Sequence, residues 1–164
     1  MSGSGRRVWP QLCLQRLGKA VFQNILLVCV GNICRSPTAE YLLRQRLPPN
    51  HVGVSSAGLG ALEDSPMDVT AEQLLREHGI DGSAHRGKQL DADMLRQADL
   101  VLVMEKAHAA RITRMAPEAS GKVFLLGKWQ DEQDIPDPYG QQRPAFEHVY
   151  KLIDHGVSRW LPYL

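Results

Sequence analysis

Disulfide cross-links, membrane spans and long runs of one charge are all missing from this sequence. Its three cysteines, Cys13, Cys29 and Cys34, are an odd number in a chain of 164 residues. That excludes a disulfide framework and fits a reducing compartment, so a cytoplasmic setting is expected. No uninterrupted apolar run is long enough to cross a bilayer, which argues against membrane insertion. Charges nearly cancel, leaving +1, and no Lys/Arg run stands out. A nucleic-acid footprint is therefore not expected, and any phosphate site must be local. The six histidines show no zinc-like pairing with cysteines. His148 and His155, two helical turns apart, read as surface groups. There is no internal repeat and no sign of a second folded domain.

What is present divides at about residue 20. The first stretch opens with Met-Ser-Gly-Ser-Gly, which is linker-like. Arg6, Arg7, Arg16 and Lys19 follow, interrupted by Trp9, Leu12 and Leu17 without clean periodicity. It lacks the apolar h-region and cleavage site of a signal peptide. Residues 1–20 are expected to form a disordered extension, with a short membrane-surface or partner-binding helix as the alternative. Residues 21–164 are expected to form one domain.

Within that domain, Ile25-Leu26-Leu27-Val28 is a continuous apolar run, as in a strand buried on both faces. Ser36-Pro37 predicts a helix start, with Ser36 as cap. Ala39, Leu42, Leu43 and Leu47 follow at helical spacing. Val52 to Ser56 predicts a second strand, and Ala71, Leu74, Leu75 and His78 a second helix ended by Gly79. A third strand over Leu100 to Val103, a helix from Lys106 to Met115 and a fourth strand over Val123 to Leu126 come next. Residues 127–142 are a polar loop. Phe146, Val149, Tyr150, Ile153, Val157, Trp160 and Leu161 mark a final helix. This alternation predicts an α/β fold: a four-stranded, parallel, twisted sheet flanked by helices on both faces. A ligand should sit outside the carboxyl ends of its strands.

Cys29-Val30-Gly31-Asn32-Ile33-Cys34-Arg35-Ser36 occupies that place, between the first strand and the first helix. A loop here can turn successive backbone N–H groups inward around an anion, with the helix N-terminus behind them. Gly31 and Asn32 tolerate the unusual backbone such a loop needs. Arg35 can add two parallel hydrogen bonds to a phosphate. Cys29 at the floor is placed for in-line attack on phosphorus, in surroundings that favour a thiolate. The Ser36 hydroxyl is within reach of the sulfur. The bare spacing of a Cys and an Arg six places on is weak evidence. A buried strand-end cysteine before a turn and a capped helix is the plain alternative.

A phosphate ester also needs its leaving oxygen protonated. Ile135-Pro136-Asp137-Pro138-Tyr139-Gly140 offers Asp137 between two prolines that limit its freedom. Tyr139 offers a flat wall for an aromatic leaving group. Asp131, Glu132 and Asp134 are rivals without that stiff setting, and a proline-rich turn with a solvated aspartate is the commoner meaning of such a segment.

With these segments in view, the sequence resembles the low-molecular-weight protein tyrosine phosphatases. The resemblance is carried by Cys29-Val-Gly-Asn-Ile-Cys-Arg-Ser-Pro-Thr-Ala-Glu40 and Asp137-Pro-Tyr139, supported by Ser56-Ala-Gly58 and Val103-Met-Glu105. It implies no metal and no cofactor. It makes Cys29 a nucleophile that forms a phosphocysteine, Arg35 the phosphate ligand, and Asp137 the acid that then activates water. Inorganic phosphate is the product. Val30, Gly31, Asn32, Ile33, Cys34, Ser36, Leu62 and Tyr139 are implied to bind substrate, with Asn32 and Ser36 holding the loop. Cys34 matches a loop cysteine that can pair reversibly with Cys29 on oxidation.

Residues 56–62 and 104–117 resemble the bacterial capsule and exopolysaccharide branch, whose partners are tyrosine autokinases. Leu59 and Leu62 are expected to replace an aromatic wall of eukaryotic relatives. Ile33 argues against the protein-arginine phosphatases, which carry Thr there. Gly140 follows Tyr139 where many eukaryotic members have a second Tyr. Val21-Phe22 lies where such proteins commonly begin, so a natural start after Met1 is expected. Two rivals stand beside this reading. A thiol-dependent arsenate reductase would normally need a further cysteine pair downstream, and no cysteine follows Cys34. A non-catalytic phosphotyrosine-binding module should have lost one of Cys29, Arg35 or Asp137.

Overall fold

In a computed structural model, residues 21–164 are described. The expected extension, residues 1–20, lies outside the described residues, as does Cys13.

The chain runs β1 (Asn24–Cys29), α1 (Arg35–Arg46), β2 (Gly53–Gly58), α2 (Val69–Glu77), α3 (Ala92–Gln97), β3 (Leu100–Val103), α4 (Lys106–Met115), β4 (Val123–Leu125) and α5 (Arg143–Trp160). The four strands form one sheet in the order β2-β1-β3-β4, and every pairing is parallel. The chain leaves β1 towards β2 and later returns across it to β3. The end of β1 is therefore the point where the strand order reverses, the usual place for a ligand crevice.

Pleating explains the apolar runs. Ile25, Leu27 and Cys29 join one buried cluster, with side chains of α1, α2 and α5. Leu26 and Val28 face the opposite cluster, with Leu95 of α3 and Ile112 of α4. Leu100 and Leu102 divide from Val101 and Val103 in the same way. A strand covered on both faces has no polar side to show. The stripe of α5 is buried as its spacing predicts, from Phe146 through Trp160. His148 and His155 are exposed on its outer face.

Helix ends differ from expectation in instructive ways. α1 begins one residue before Ser36, with Cys34 at the cap and no side-chain cap bond. Pro37 still falls in the first turn, where a missing N–H costs nothing. Asp68 caps α2, accepting from Thr70 N at 2.9 Å and Ala71 N at 3.3 Å. After α2, Gly79 takes φ +77°. Ile80 N then bonds to Leu75 O at 2.9 Å and Gly79 N to Arg76 O at 3.0 Å, closing the helix. The α3 helix has only six residues and one buried side chain, Leu95, too little to show a period.

Residues 126–142 are tied at two points to the carboxyl end of β3. Leu126 N donates to Val103 O and Ile135 N to Met104 O, both at 2.8 Å. Ile135 is itself buried, so the segment that follows it is fixed beside the carboxyl end of β3.

Gly58, the last residue of β2, touches the loop after β1. A Cβ built there would stand 2.3 Å from Val30 O and 3.1 Å from Ala61 Cα. Both are backbone atoms, so relief would require moving the loop itself. Gly58→Ala is expected to cost about 1–3 kcal/mol, the usual range for overpacking, with urea unfolding as the measurement. A variant as stable as the natural chain would show that this contact is not tight.

Candidate active site

Cys29 to Arg35 curl around a cavity of about 220 Å³, closed by Gly60, Leu62, Asp137 and Tyr139. The curl is set by where the loop's carbonyls go. Cys29 O, Val30 O and Gly31 O accept from the N–H groups of Leu59, Gly60 and Leu62 at 2.9, 3.0 and 3.0 Å. Asn32 O is 2.6 Å from His85 Nε2. Ile33 O accepts from Asp68 N at 2.9 Å. Cys34 O accepts from the Thr38 hydroxyl at 2.6 Å. In a trans peptide the N–H points away from the C=O. Carbonyls engaged on the outside therefore turn amide hydrogens inward, towards any anion in the cavity.

Asn32 is the keystone of the loop, fully buried with φ +56°. Its Oδ1 accepts from Lys88 N at 2.9 Å, which fixes the orientation of the amide. Its Nδ2 donates to Ser36 Oγ at 2.8 Å and to Ser56 Oγ at 2.9 Å. Ser56 in turn donates to the Glu40 carboxylate. Ser36 Oγ already accepts from Asn32, so its own hydrogen is free to point at Cys29 Sγ, 2.9 Å away. Asn32 N–H also reaches that sulfur, at 3.3 Å. Two donors therefore converge on Sγ. The commitment of Ser36 to sulfur explains why it does not cap α1.

Arg35 is 2% exposed, and a guanidinium so buried needs partners. Its Nη1 bonds to the Glu105 carboxylate and to Ile135 O, the latter at 2.8 Å. Its Nη2 lies 3.6 Å from Asp137 Oδ2. Asp137 Oδ1 accepts from Tyr139 N at 3.1 Å, a local turn that holds the carboxylate over the cavity. Its side chain is 48% exposed, open to water and to an incoming group.

Cys34 behaves differently from its neighbour. Burial, then the Asp68 carboxylate, hold its thiol far above the ordinary range, so it stays protonated. Cys29 and Cys34 are both free. Among the described residues, no group of three or more His, Cys, Asp or Glu side chains comes together as a metal-ligand set.

All the expected site residues meet here except Ser36, which lies beneath the cavity floor. Leu62 stands at the mouth, 44% exposed, with Val30 and Tyr139. Leu59 does not share the wall. Its side chain is buried in the cluster of α3 and α4, and only its backbone serves the site. Sequence reasoning gave no chemical role to Ser56, Glu40 or Glu105, although each fell in a segment already noticed for its resemblance. Gly60 and Ile135 lay in noticed segments without a role of their own and His85 lay in none, because their roles depend on contacts distant in sequence.

A parallel α/β sheet with a thiol under an amide-lined cavity, overhung by an arginine and an aspartate, defines a phosphate-handling cysteine site. Comparison with known proteins narrows the class. Residues 24–164 match the family model described as low molecular weight phosphotyrosine protein phosphatase. The low molecular weight protein-tyrosine-phosphatase Etp of Escherichia coli (strain K12) is 47% identical over 139 residues, spanning 85% of this chain and 93% of Etp. The structure of Vibrio vulnificus Wzb in complex with benzylphosphonate superposes with a TM-score of 0.83 at 45% identity, covering 87% of this chain and 99% of that one. The YwlE arginine phosphatase of Geobacillus stearothermophilus has a TM-score of 0.73 at 37% identity, covering 85% and 94%. The chain belongs to the low molecular weight phosphotyrosine protein phosphatase family.

Two buried histidines make the site's stability depend on pH. Burial lowers the His85 pKa, opposed by its bond to Asn32 O and by Glu40. Burial, then the Arg35 charge, lowers that of His108. Both rings are neutral in the folded chain at pH values where the unfolded chain begins to protonate them. Below the ordinary value of 6.5 the unfolded state therefore binds more protons. Their contribution is full above that pH and is lost as pH falls towards the lowered folded values. Urea unfolding between about pH 7.5 and 5 should show this decline, and His85→Gln should make it shallower. A slope unchanged by the substitution would remove His85 from the account.

Proposed function

We propose that residues 21–164 form a catalytic unit that hydrolyses phosphotyrosine in proteins through a phosphocysteine intermediate, without metal or cofactor. The convergence of Ser36 and Asn32 donors on Cys29 Sγ, at the floor of an amide-lined cavity beneath Arg35 and Asp137, is the observation that carries this reading.

Deprotonated Cys29 Sγ attacks phosphorus; the S–P bond forms as the bond to the tyrosyl oxygen breaks. Asp137 gives its proton to that oxygen. The Asp137 carboxylate then takes a proton from water as the water oxygen attacks the phosphocysteine. The S–P bond breaks, inorganic phosphate leaves, and Sγ departs as a thiolate held by the Ser36 hydroxyl. Arg35 and the inward amides of Val30 to Cys34 neutralise the equatorial oxygens in both steps. Val30, Ile33, Leu62 and Tyr139 suit the flat apolar ring of a tyrosine. Ile33, where arginine phosphatases are expected to carry Thr, favours the same substrate.

The biological setting we propose is bacterial and cytoplasmic: opposition to a tyrosine autokinase in exopolysaccharide or capsule production. Likeness over residues 56–62 and 104–117 supports the exopolysaccharide setting, and the 47% identity to Etp of Escherichia coli supports a bacterial one. No helix among the described residues is long and apolar enough to cross a membrane.

Phosphate release from p-nitrophenyl phosphate in the presence of EDTA is the first test. Steady turnover that Cys29→Ser abolishes is expected; turnover surviving that substitution would move the nucleophile elsewhere. Asp137→Asn is expected to lower kcat/KM, which reports the step that expels the tyrosine, about 10²–10⁴-fold on phosphotyrosine. The loss should be much smaller on esters whose leaving group departs without a proton. An equal loss on both would deny Asp137 the role of acid.

A further inference from the structure

The short loop from Leu59 to Leu62 has two duties. Three of its N–H groups hold the carbonyls of Cys29, Val30 and Gly31, while Gly60 and Leu62 face the cavity. Its own shape is set from outside by Gln89, which does not line the cavity.

Gln89 Oε1 accepts from Ala61 N at 2.9 Å, and its Nε2 donates to Leu59 O at 3.1 Å. One amide thus bridges both sides of the turn that presents Leu62. Leu59 O receives a second donor, Arg111 Nη2 of α4, also at 3.1 Å. The Gln89 backbone is anchored against the end of β2. Gly58 N bonds to Lys88 O and Leu90 N to Gly58 O, both at 2.8 Å. Two residues before Gln89, a Cβ at Gly87 would stand 2.2 Å from Leu62 O, so Leu62 lies close against that segment as well.

We propose that Gln89 is a positioning residue for substrate selection, fixing the Leu59–Leu62 turn so that Leu62 forms one wall for the aromatic ring of the substrate. It acts through Leu62 and touches neither phosphate nor thiol. The inference rests on the cavity being a phosphotyrosine site. Removing the clamp should loosen ring binding while leaving the phosphate cradle intact, because the cradle keeps its own three bonds from Leu59, Gly60 and Leu62.

Steady-state kinetics on a phosphotyrosine peptide, with inorganic phosphate as competitive inhibitor, test this in the natural sequence, Gln89→Leu, Leu62→Ala and the double variant. Gln89→Leu is expected to raise KM about 3–10-fold, the range of one net hydrogen bond. Its kcat and the inhibition constant of phosphate should stay within about twofold. The double variant should be no worse than Leu62→Ala alone, since without the Leu62 side chain there is nothing left to position. An unchanged KM, a phosphate constant that rises with KM, or losses that multiply in the double variant would each overturn the proposal. Gln89→Met, which keeps the length of the side chain but loses both bonds without adding charge, should show the same rise in KM and serves if the leucine variant does not fold. A natural chain that releases no phosphate would sink the phosphatase reading itself, whereas normal turnover with a flat KM would sink only the role of Gln89.

Discussion

Carbonyl oxygens are as much a part of this site as the amides that face the cavity. A loop of inward N–H groups is unstable unless the opposite ends of the same peptides find donors. From Cys29 to Cys34 each carbonyl has one, drawn from the turn after β2, from His85, from Asp68 and from α1. The donors come from four separate stretches of chain, so the cradle exists only when the sheet and its flanking loops are assembled. This couples the site to the fold. The β2-β1-β3-β4 order brings the end of β2 beside the loop, and Gly58 permits the close approach. Anchoring of Ile135 to the end of β3 brings Asp137 over from the other side.

Charge follows the same plan. A nearly neutral chain offers no general field to draw in a phosphate. In the proposed function attraction is instead local, from oriented amides and one buried guanidinium. Arg35 is held before any ligand arrives, by Glu105 on one nitrogen and by Ile135 O on the same one. Holding it in place removes much of the ordering cost that a long flexible side chain would otherwise add on binding. The second nitrogen is the one nearest Asp137, so cation and acid share one corner of the cavity.

The amino-acid pattern carried the sheet well because its strands are buried on both faces. Leu100–Val103 and the helix from Lys106 to Met115 coincide with the observed elements. Boundaries slipped where side chains have a second job. Ser36 looks like a cap by composition, yet its hydroxyl serves Cys29. Leu59 looks like an exposed wall beside Leu62, yet its side chain packs inward and its peptide does the work. The thiol, the arginine and the aspartate were legible because each sits in a short segment, Cys29–Glu40 or Asp137–Tyr139, that carries the family resemblance; the spacing of Cys29 and Arg35 alone was weak evidence. The roles of His85, Glu105 and Gln89 were not legible, since each meets its partner across tens of residues of intervening chain and only the closed fold brings them together.

Asn32 shows how narrowly one position can be specified. Its backbone lies at φ +56°, which glycine, asparagine and aspartate tolerate best. Glycine would supply the conformation and leave Ser36, Ser56 and Lys88 N each short of a partner in a buried place. Aspartate would supply the acceptor for Lys88 N and no donors. Both serine hydroxyls would then be free to turn back towards the carboxylate, away from Cys29 Sγ and from Glu40. Only the amide accepts at one end and donates twice at the other. The two donated bonds give the hydroxyls a direction, Ser36 to sulfur and Ser56 to Glu40, so no hydroxyl hydrogen is left to choose. The direction of the hydrogen bond from Ser36 to the sulfur is thus decided by a side chain that does not itself reach the sulfur.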